Sequence, residues 1–216
     1  MVKCVIFDLD GTLIDTIKDL AVATNYALKK NNCKEHEVNA YYDFVGNGIK
    51  VLCERALHKQ GIYDNNTLEK VFKDFKEYYD VHYNDFTCPY KGIKNLLNYL
   101  KNKNIILGVY SNKIEHIAKK VIEHNFGNDI FDFVLGESIN YNRKPDAKQL
   151  LDVLKDRNIN ISDCLYVGDS DVDMMTAKNA KINAVAVTWG FRSREILESY
   201  SPKYIVNDPS EIKNIL

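Results

Sequence analysis

Residues 2–12 read VKCVIFDLDGT. Val2 to Phe7 is a largely β-branched and aromatic run without helical period, which predicts a strand buried on both faces. Asp8-Leu9-Asp10-Gly11-Thr12 then breaks that strand with two carboxylates and a glycine. A buried strand ending in acidic residues places them where open α/β sheets bind ligands, beyond the carboxyl ends of their strands.

Moving outward, Ile17, Leu20, Ala21, Ala27 and Leu28 recur at helical spacing from about Thr16. Between Ala40 and Tyr83 nothing reads as a strand. Ile49, Leu52, Cys53, Ala56 and Leu57 form one helical pattern, and Leu68, Val71, Phe72, Phe75, Tyr78 and Tyr79 form another. Pro89 and Gly92 mark the end of this block. Strands are then predicted at Ile105–Tyr110, Phe131–Leu135, Cys164–Val167, Ala184–Val187 and Tyr204–Val206. Helices are predicted between them at Ile114–His124, Asp146–Lys155 and Asp171–Ala180. Strands alternating with helices predict a parallel sheet covered on both faces. The expected architecture is a Rossmann-like, doubly wound α/β core (residues 1–15 and 87–216) with a small helical domain (16–86) inserted after the first strand.

Composition narrows the class. The 216 residues carry 29 Lys and Arg against 30 Asp and Glu, a net charge of −1. That balance excludes a generally polybasic nucleic-acid binder. At 45% hydrophobic residues and only 4 Pro, the chain is not of disordered composition. No apolar run approaches the ~20 residues needed to span a bilayer, and the short apolar start ends at two aspartates, unlike a signal peptide. Cys4, Cys33, Cys53, Cys88 and Cys164 are odd in number and form no C-x-x-C pair, so reduced thiols in a cytoplasmic protein are expected. The five histidines show no spacing that suggests a site.

The predicted strand ends gather a particular chemistry. Asp8 and Asp10 follow the first strand, Ser111-Asn112-Lys113 the second, and Gly168-Asp169-Ser170-Asp171 a later one; Arg143-Lys144-Pro145 lies in a loop before a helix. Carboxylates brought this close repel unless a cation lies between them. Oxygen ligands plus water suit magnesium, which keeps several waters and binds substrate phosphate. Each residue also has a plainer reading. An aspartate or Ser111 after a strand caps a helix, and Lys144 is a solvated surface lysine. Caps alone do not require Lys144 and Ser111 at neighbouring strand ends.

Phe7-Asp8-Leu9-Asp10-Gly11-Thr12-Leu13 resembles the first motif of the haloacid dehalogenase superfamily. Ser111 in VYSNK, Lys144 in RKPD and Asp169 in VGDSDVDM resemble the second, third and fourth, in family order. The resemblance implies a magnesium enzyme. Asp8 would be the nucleophile, forming an aspartyl-phosphate. Asp10 would be the general acid and then the base, its backbone carbonyl also binding the metal. Asp169 would ligate magnesium directly, with Asp173 acting from behind the direct ligands. Ser111, Asn112 and Lys144 would hold the phosphoryl group. A second aspartate at position 10 points to a phosphatase or phosphomutase, because an alkoxide leaving group benefits from a proton donor.

Phe44-Val45-Gly46-Asn47-Gly48 with Leu52-Cys53-Glu54-Arg55-Ala56-Leu57, and Val187-Thr188-Trp189-Gly190-Phe191, resemble phosphoglycolate phosphatases. Arg55 is then expected to bind a substrate carboxylate, against the alternative of a helix-surface ion pair. Trp189 is expected to serve packing. Lys181 stands where relatives place glycine, so a left-handed helix end is not expected there. The resulting expectation is hydrolysis of a small phosphorylated metabolite, 2-phosphoglycolate first, by a monomer or homodimer without nucleic-acid or membrane partners. A sugar phosphomutase resembling β-phosphoglucomutase and an inorganic pyrophosphatase share the same core residues, and a non-enzymatic binding protein retaining the fold is the remaining class.

Overall fold

The computed structural model describes residues 2–216. Two compact units divide the chain: Met1–Ile14 with Pro89–Leu216, and Asp15–Cys88. In chain order, β1 (Cys4–Phe7) and the two-residue β2 (Ile14–Asp15) precede α1 (Ile17–Lys30), α2 (Tyr41–Phe44), α3 (Ile49–His58) and α4 (Asn65–Tyr79). β3 (Cys88–Pro89) leads into α5 (Ile93–Asn102), β4 (Ile106–Ile114), α6 (Glu115–Phe126) and β5 (Phe133–Glu137). Then come α7 (Lys148–Asp156), β6 (Cys164–Gly168), α8 (Asp171–Ala180), β7 (Asn183–Val187), α9 (Arg194–Ser199) and β8 (Tyr204–Val206).

Six strands form one parallel sheet in the order β5-β4-β1-β6-β7-β8. β1 lies centrally, pairing Phe7 with Val109 on one side and Val167 on the other. Its four residues expose no surface, as expected for a strand covered on both faces. One core cluster joins Cys4, Ile6, Tyr110 and Tyr166 of the sheet to Leu150 and Leu154 of α7 and Ala177 of α8. β2 and β3 pair as a separate two-stranded sheet. Among the described residues, no helix is long and apolar enough to cross a membrane, and all five cysteines are free.

In the helical unit, α1 packs on α4, with Leu20, Ala27 and Leu28 of the first and Val71 and Phe75 of the second all buried. Asp64 caps α4 by accepting from the Asn66 and Thr67 backbone N–H groups. Asp19, buried within α1, accepts from the backbone N–H groups of Phe86 and Thr87 and from the Thr87 hydroxyl at 2.6 Å.

Three local features depart from the sequence expectations. β4 does not end at Tyr110 but runs to Ile114, with its register shifting between Tyr110 and Ile114. This bulge lets four residues of β4 span what two of β5 span, re-aiming Ser111, Asn112 and Lys113. Lys181 adopts the left-handed conformation after all, with φ 57°. Its backbone N–H bonds the Lys178 carbonyl, a helix end that outweighs the modest Cβ penalty. α9 and a 3₁₀ segment at Pro209–Ile215 were not anticipated; both are too short for periodicity to register.

Gly108 in β4 lies beneath the Phe133 ring of the neighbouring strand, where a Cβ would overlap the ring carbons. Strand propensity favours valine over glycine, yet Gly108→Val should lower stability by about 1–3 kcal/mol through overpacking. The urea denaturation midpoint measures it; a midpoint equal to the wild type would mean the ring yields freely.

Candidate active site

Four strand ends of the parallel sheet deliver the site. Asp8 directly follows β1, and its backbone N–H bonds the Val167 carbonyl. Thr12 and Asp169 then join two loops, the threonine hydroxyl donating to Asp169 Oδ1 at 2.9 Å. The Phe191 N–H donates to Asp169 Oδ2 at 2.8 Å. Trp189 Nε1 donates to the Thr12 carbonyl at 3.0 Å, so this side chain braces the loop after β1. Gly11 and Gly190 pack so closely that a Cβ on either would overlap Asp169.

Asp8, Asp169 and Asp173 are buried together, and one carboxylate oxygen from each lies within 4.8 Å of the others. Lys144, also buried, places Nζ 2.8 Å from Asp8 Oδ1 and 2.7 Å from Asp173 Oδ1. The Tyr166 hydroxyl lies 3.3 Å from the same ammonium. Lys144 thus pairs with both Asp8 and Asp173. The rings of Tyr110 and Tyr166 lie about 6 Å from the ammonium, a further favourable surrounding for a buried cation. Lys144 is thus not a surface lysine. Asn112 holds its backbone in place, accepting from the Lys144 N–H at 2.8 Å and donating to its carbonyl at 3.3 Å.

Asp173 is fixed twice over. It completes a capping box with Ser170 at the start of α8, accepting the serine hydroxyl at 2.5 Å, and its other oxygen takes Lys144. Asp171, by contrast, pairs with Arg192 at 3.2 Å. Ser111 is buried, and its hydroxyl accepts from the Lys113 N–H at 3.2 Å within the bulge. It does not cap α6, whose N-cap is Ile114.

Asp10 stands apart from the other three carboxylates. Its Oδ1 lies 3.0 Å from Nζ of Lys113, a lysine side chain only 2% exposed. Nothing in the sequence position of Lys113 distinguishes it from a solvated lysine. Arg55 belongs to the helical unit. There its guanidinium donates to the Phe44 and Val45 carbonyls and to Asn47 Oδ1 at 2.7 Å, bracing the glycine-containing turn before α3. These contacts give Arg55 a bracing role within the helical unit.

The charges do not balance internally. Asp8, Asp169 and Asp173 against Lys144 leave two negative charges uncompensated in a buried place, whereas Asp10 and Lys113 cancel. Burial, reinforced by the charge of Asp173, pushes the Asp8 carboxyl up to about 7. Burial followed by Asp173 and Asp8 holds Asp169 well above the usual carboxylate range. Burial alone would lower Lys144, but Asp173 and Asp8 keep its ammonium well above the ordinary lysine value. A divalent cation among these oxygens would supply the missing charge. The clustered hard oxygen donors of Asp8, Asp169 and Asp173 fit one.

Haloacid dehalogenase-like hydrolases match residues 5–187 of the chain. The chain belongs to the haloacid dehalogenase-like hydrolases. This hydrolase is 31% identical to the phosphoglycolate phosphatase of Colwellia psychrerythraea over 214 residues, covering 97% of the chain and 95% of the relative. It is 32% identical to that of Neisseria meningitidis over 216 residues, covering 98% and 92%. The crystal structure of a candidate phosphoglycolate phosphatase from Lactobacillus delbrueckii subsp. bulgaricus superimposes with a TM-score of 0.93 at 31% identity, covering 99% of this chain and 97% of that one. The matched span of this hydrolase includes Asp8, Ser111, Lys144 and Asp169.

Linkage gives the site a pH signature. Asp8 binds its proton more tightly folded than unfolded, so between about pH 4 and 7 the native state carries extra protons. In metal-free protein this group's contribution to stability therefore falls as pH rises through that window. Asp8→Asn should raise the metal-free Tm at pH 8, and the difference should shrink toward pH 4. A mutant less stable than wild type at pH 8 would show that Lys144 needs Asp8 more than the acidic cluster needs relief.

Proposed function

We propose that this hydrolase cleaves a small phosphomonoester by a magnesium-dependent route through an aspartyl-phosphate on Asp8, with 2-phosphoglycolate as its substrate. One observation carries the reading: the buried Asp8 carboxylate lies 2.8 Å from the Lys144 ammonium and brings an oxygen together with those of Asp169 and Asp173. The substrate is supported by the two phosphoglycolate phosphatases that align along nearly the whole chain.

Each side chain has a task in this scheme. Asp8 attacks phosphorus, and the leaving alkoxide takes its proton from Asp10. Asp10 then receives a proton from the water that opens the acyl-phosphate. The Lys144 ammonium and the Ser111 hydroxyl hold the phosphoryl oxygens as negative charge shifts among them. Asp169 and Asp8 would hold magnesium, with the Asp10 carbonyl and with Asp173 behind them; when bound, the ion neutralises charge on the phosphoryl group. The helical unit is read as a cap that excludes water during transfer. The protein is read as cytoplasmic, acting on a free metabolite.

The decisive experiment assays phosphorylated metabolites, with phosphoglycolate and hexose phosphates among them, in the presence of magnesium and of a chelator. Magnesium-dependent release of inorganic phosphate from phosphoglycolate is expected, and Asp8→Asn should abolish it while remaining folded. Isomerised hexose phosphate without phosphate release would overturn the hydrolytic reading, and turnover by Asp8→Asn would remove Asp8 as nucleophile.

Arg55→Ala tests the carboxylate role directly. If the guanidinium meets the substrate carboxylate, KM for phosphoglycolate should rise about 10-fold or more, as for a lost charge-assisted hydrogen bond, with little change for an uncharged alkyl phosphate. Equal changes for both would leave Arg55 with its observed work of bracing residues 44–47.

A further inference from the structure

Besides the two contacts of Lys144, one more carboxylate–ammonium contact described at these strand ends has no task in the scheme above. Lys113 Nζ lies 3.0 Å from Asp10 Oδ1, and the lysine side chain is almost wholly withdrawn from solvent. A lysine buried so deeply is costly unless a charge compensates it. Its burial follows from the β4 bulge, which carries Lys113 to the strand end beside Asp10. Gly136 permits the bulge: a Cβ there would meet the Lys113 carbonyl and the Glu115 backbone at 2.6 Å or less.

We infer that Lys113 is a positioning residue that reserves Asp10 for proton transfer. Resting on the phosphatase reading above, the inference addresses a problem that reading creates. Four carboxylates lie at these strand ends, and a divalent cation attracts any within reach. Asp8, Asp169 and Asp173 can bring oxygens together, whereas the Asp10 carboxylate is tied to Lys113. The ion pair does two things. It cancels the charge of the ionised Asp10 in the resting site, so the uncompensated negative charge elsewhere matches one divalent ion; Asp10 takes up from solvent the proton it gives the alkoxide once the negative charge of the bound ester stands beside it. It also fixes the carboxylate where a leaving-group oxygen can meet it, and keeps it off the cation.

Alkyl and aryl phosphates separate this role from simple structural support. An alkoxide needs a proton on departure, whereas the p-nitrophenolate ion does not, so loss of a well-placed acid harms only the alkyl ester. Lys113→Met should slow an alkyl phosphate about 10-fold or more while changing p-nitrophenyl phosphate less than about 3-fold, a fraction of the 10²–10⁴-fold attributed to a general acid. Lys113→Arg, which keeps charge and donors, should recover most of the loss. Calorimetric titration with magnesium alone gives a second readout. Lys113→Met should bind the ion more tightly, and adding Asp10→Asn should return affinity to near wild type. If Lys113→Met does not fold, Lys113→Gln carries the same comparisons. Equal slowing of both esters, or an unchanged rate ratio with unchanged magnesium affinity, would overturn the inference. Asp10→Asn serves as the control. If it too slows both esters equally, the acid role of Asp10 has failed; if it is selective and the Lys113 variants are not, only the role of Lys113 has failed.

Discussion

A single ammonium, that of Lys144, keeps the acidic strand ends together. It contacts Asp8 and Asp173 at once, within 2.8 Å of each. Without it three buried carboxylates would face one another across less than 5 Å, a mutual repulsion of several kcal/mol at an effective dielectric of about 20. Such a cluster would be resolved by protonation, and a protonated Asp8 is neither nucleophile nor ligand. With it the cluster retains an excess of negative charge, which a divalent cation would offset.

The chain surrounds Lys144 to hold this balance. Asn112 clasps its backbone on both sides, and two tyrosine rings flank the ammonium. Asp173 is itself pinned by Ser170 at the first turn of α8. These contacts tie β4, β6, α8 and the loop before α7 to one atom. Stability and chemistry are set against each other here: the burial and the like charges that raise Asp8 and Asp169 also lower the stability of the metal-free fold.

Much of this was legible in the residues. Val2–Phe7 announces a buried strand because the four residues after Lys3 are apolar without interruption, and the alternation after Pro89 announces the parallel sheet. Asp8, Asp10, Ser111, Lys144 and Asp169 stand out because polar residues at the ends of apolar strands have no packing purpose. The bulge in β4 was not legible. Backbone irregularity there depends on Gly136 in the adjacent strand letting another chain segment approach, and no local pattern in Ser111–Ile114 encodes a neighbour. Lys181 misled for a related reason: the penalty for a left-handed lysine is small, and the hydrogen bonds closing α8 exceed it.

The sequence alone determined which strands of the main sheet exist, which ends carry acid, and that an ammonium and a hydroxyl accompany them, since those follow from periodicity and residue type. Only the tertiary structure decided which lysine neutralises which aspartate. Lys113 and Asp10 are separated by 103 positions and Lys144 and Asp173 by 29. Ion pairing acts over a few ångströms of space, and spacing along the chain does not report that distance. The partners were assigned when the strands took their order in the sheet.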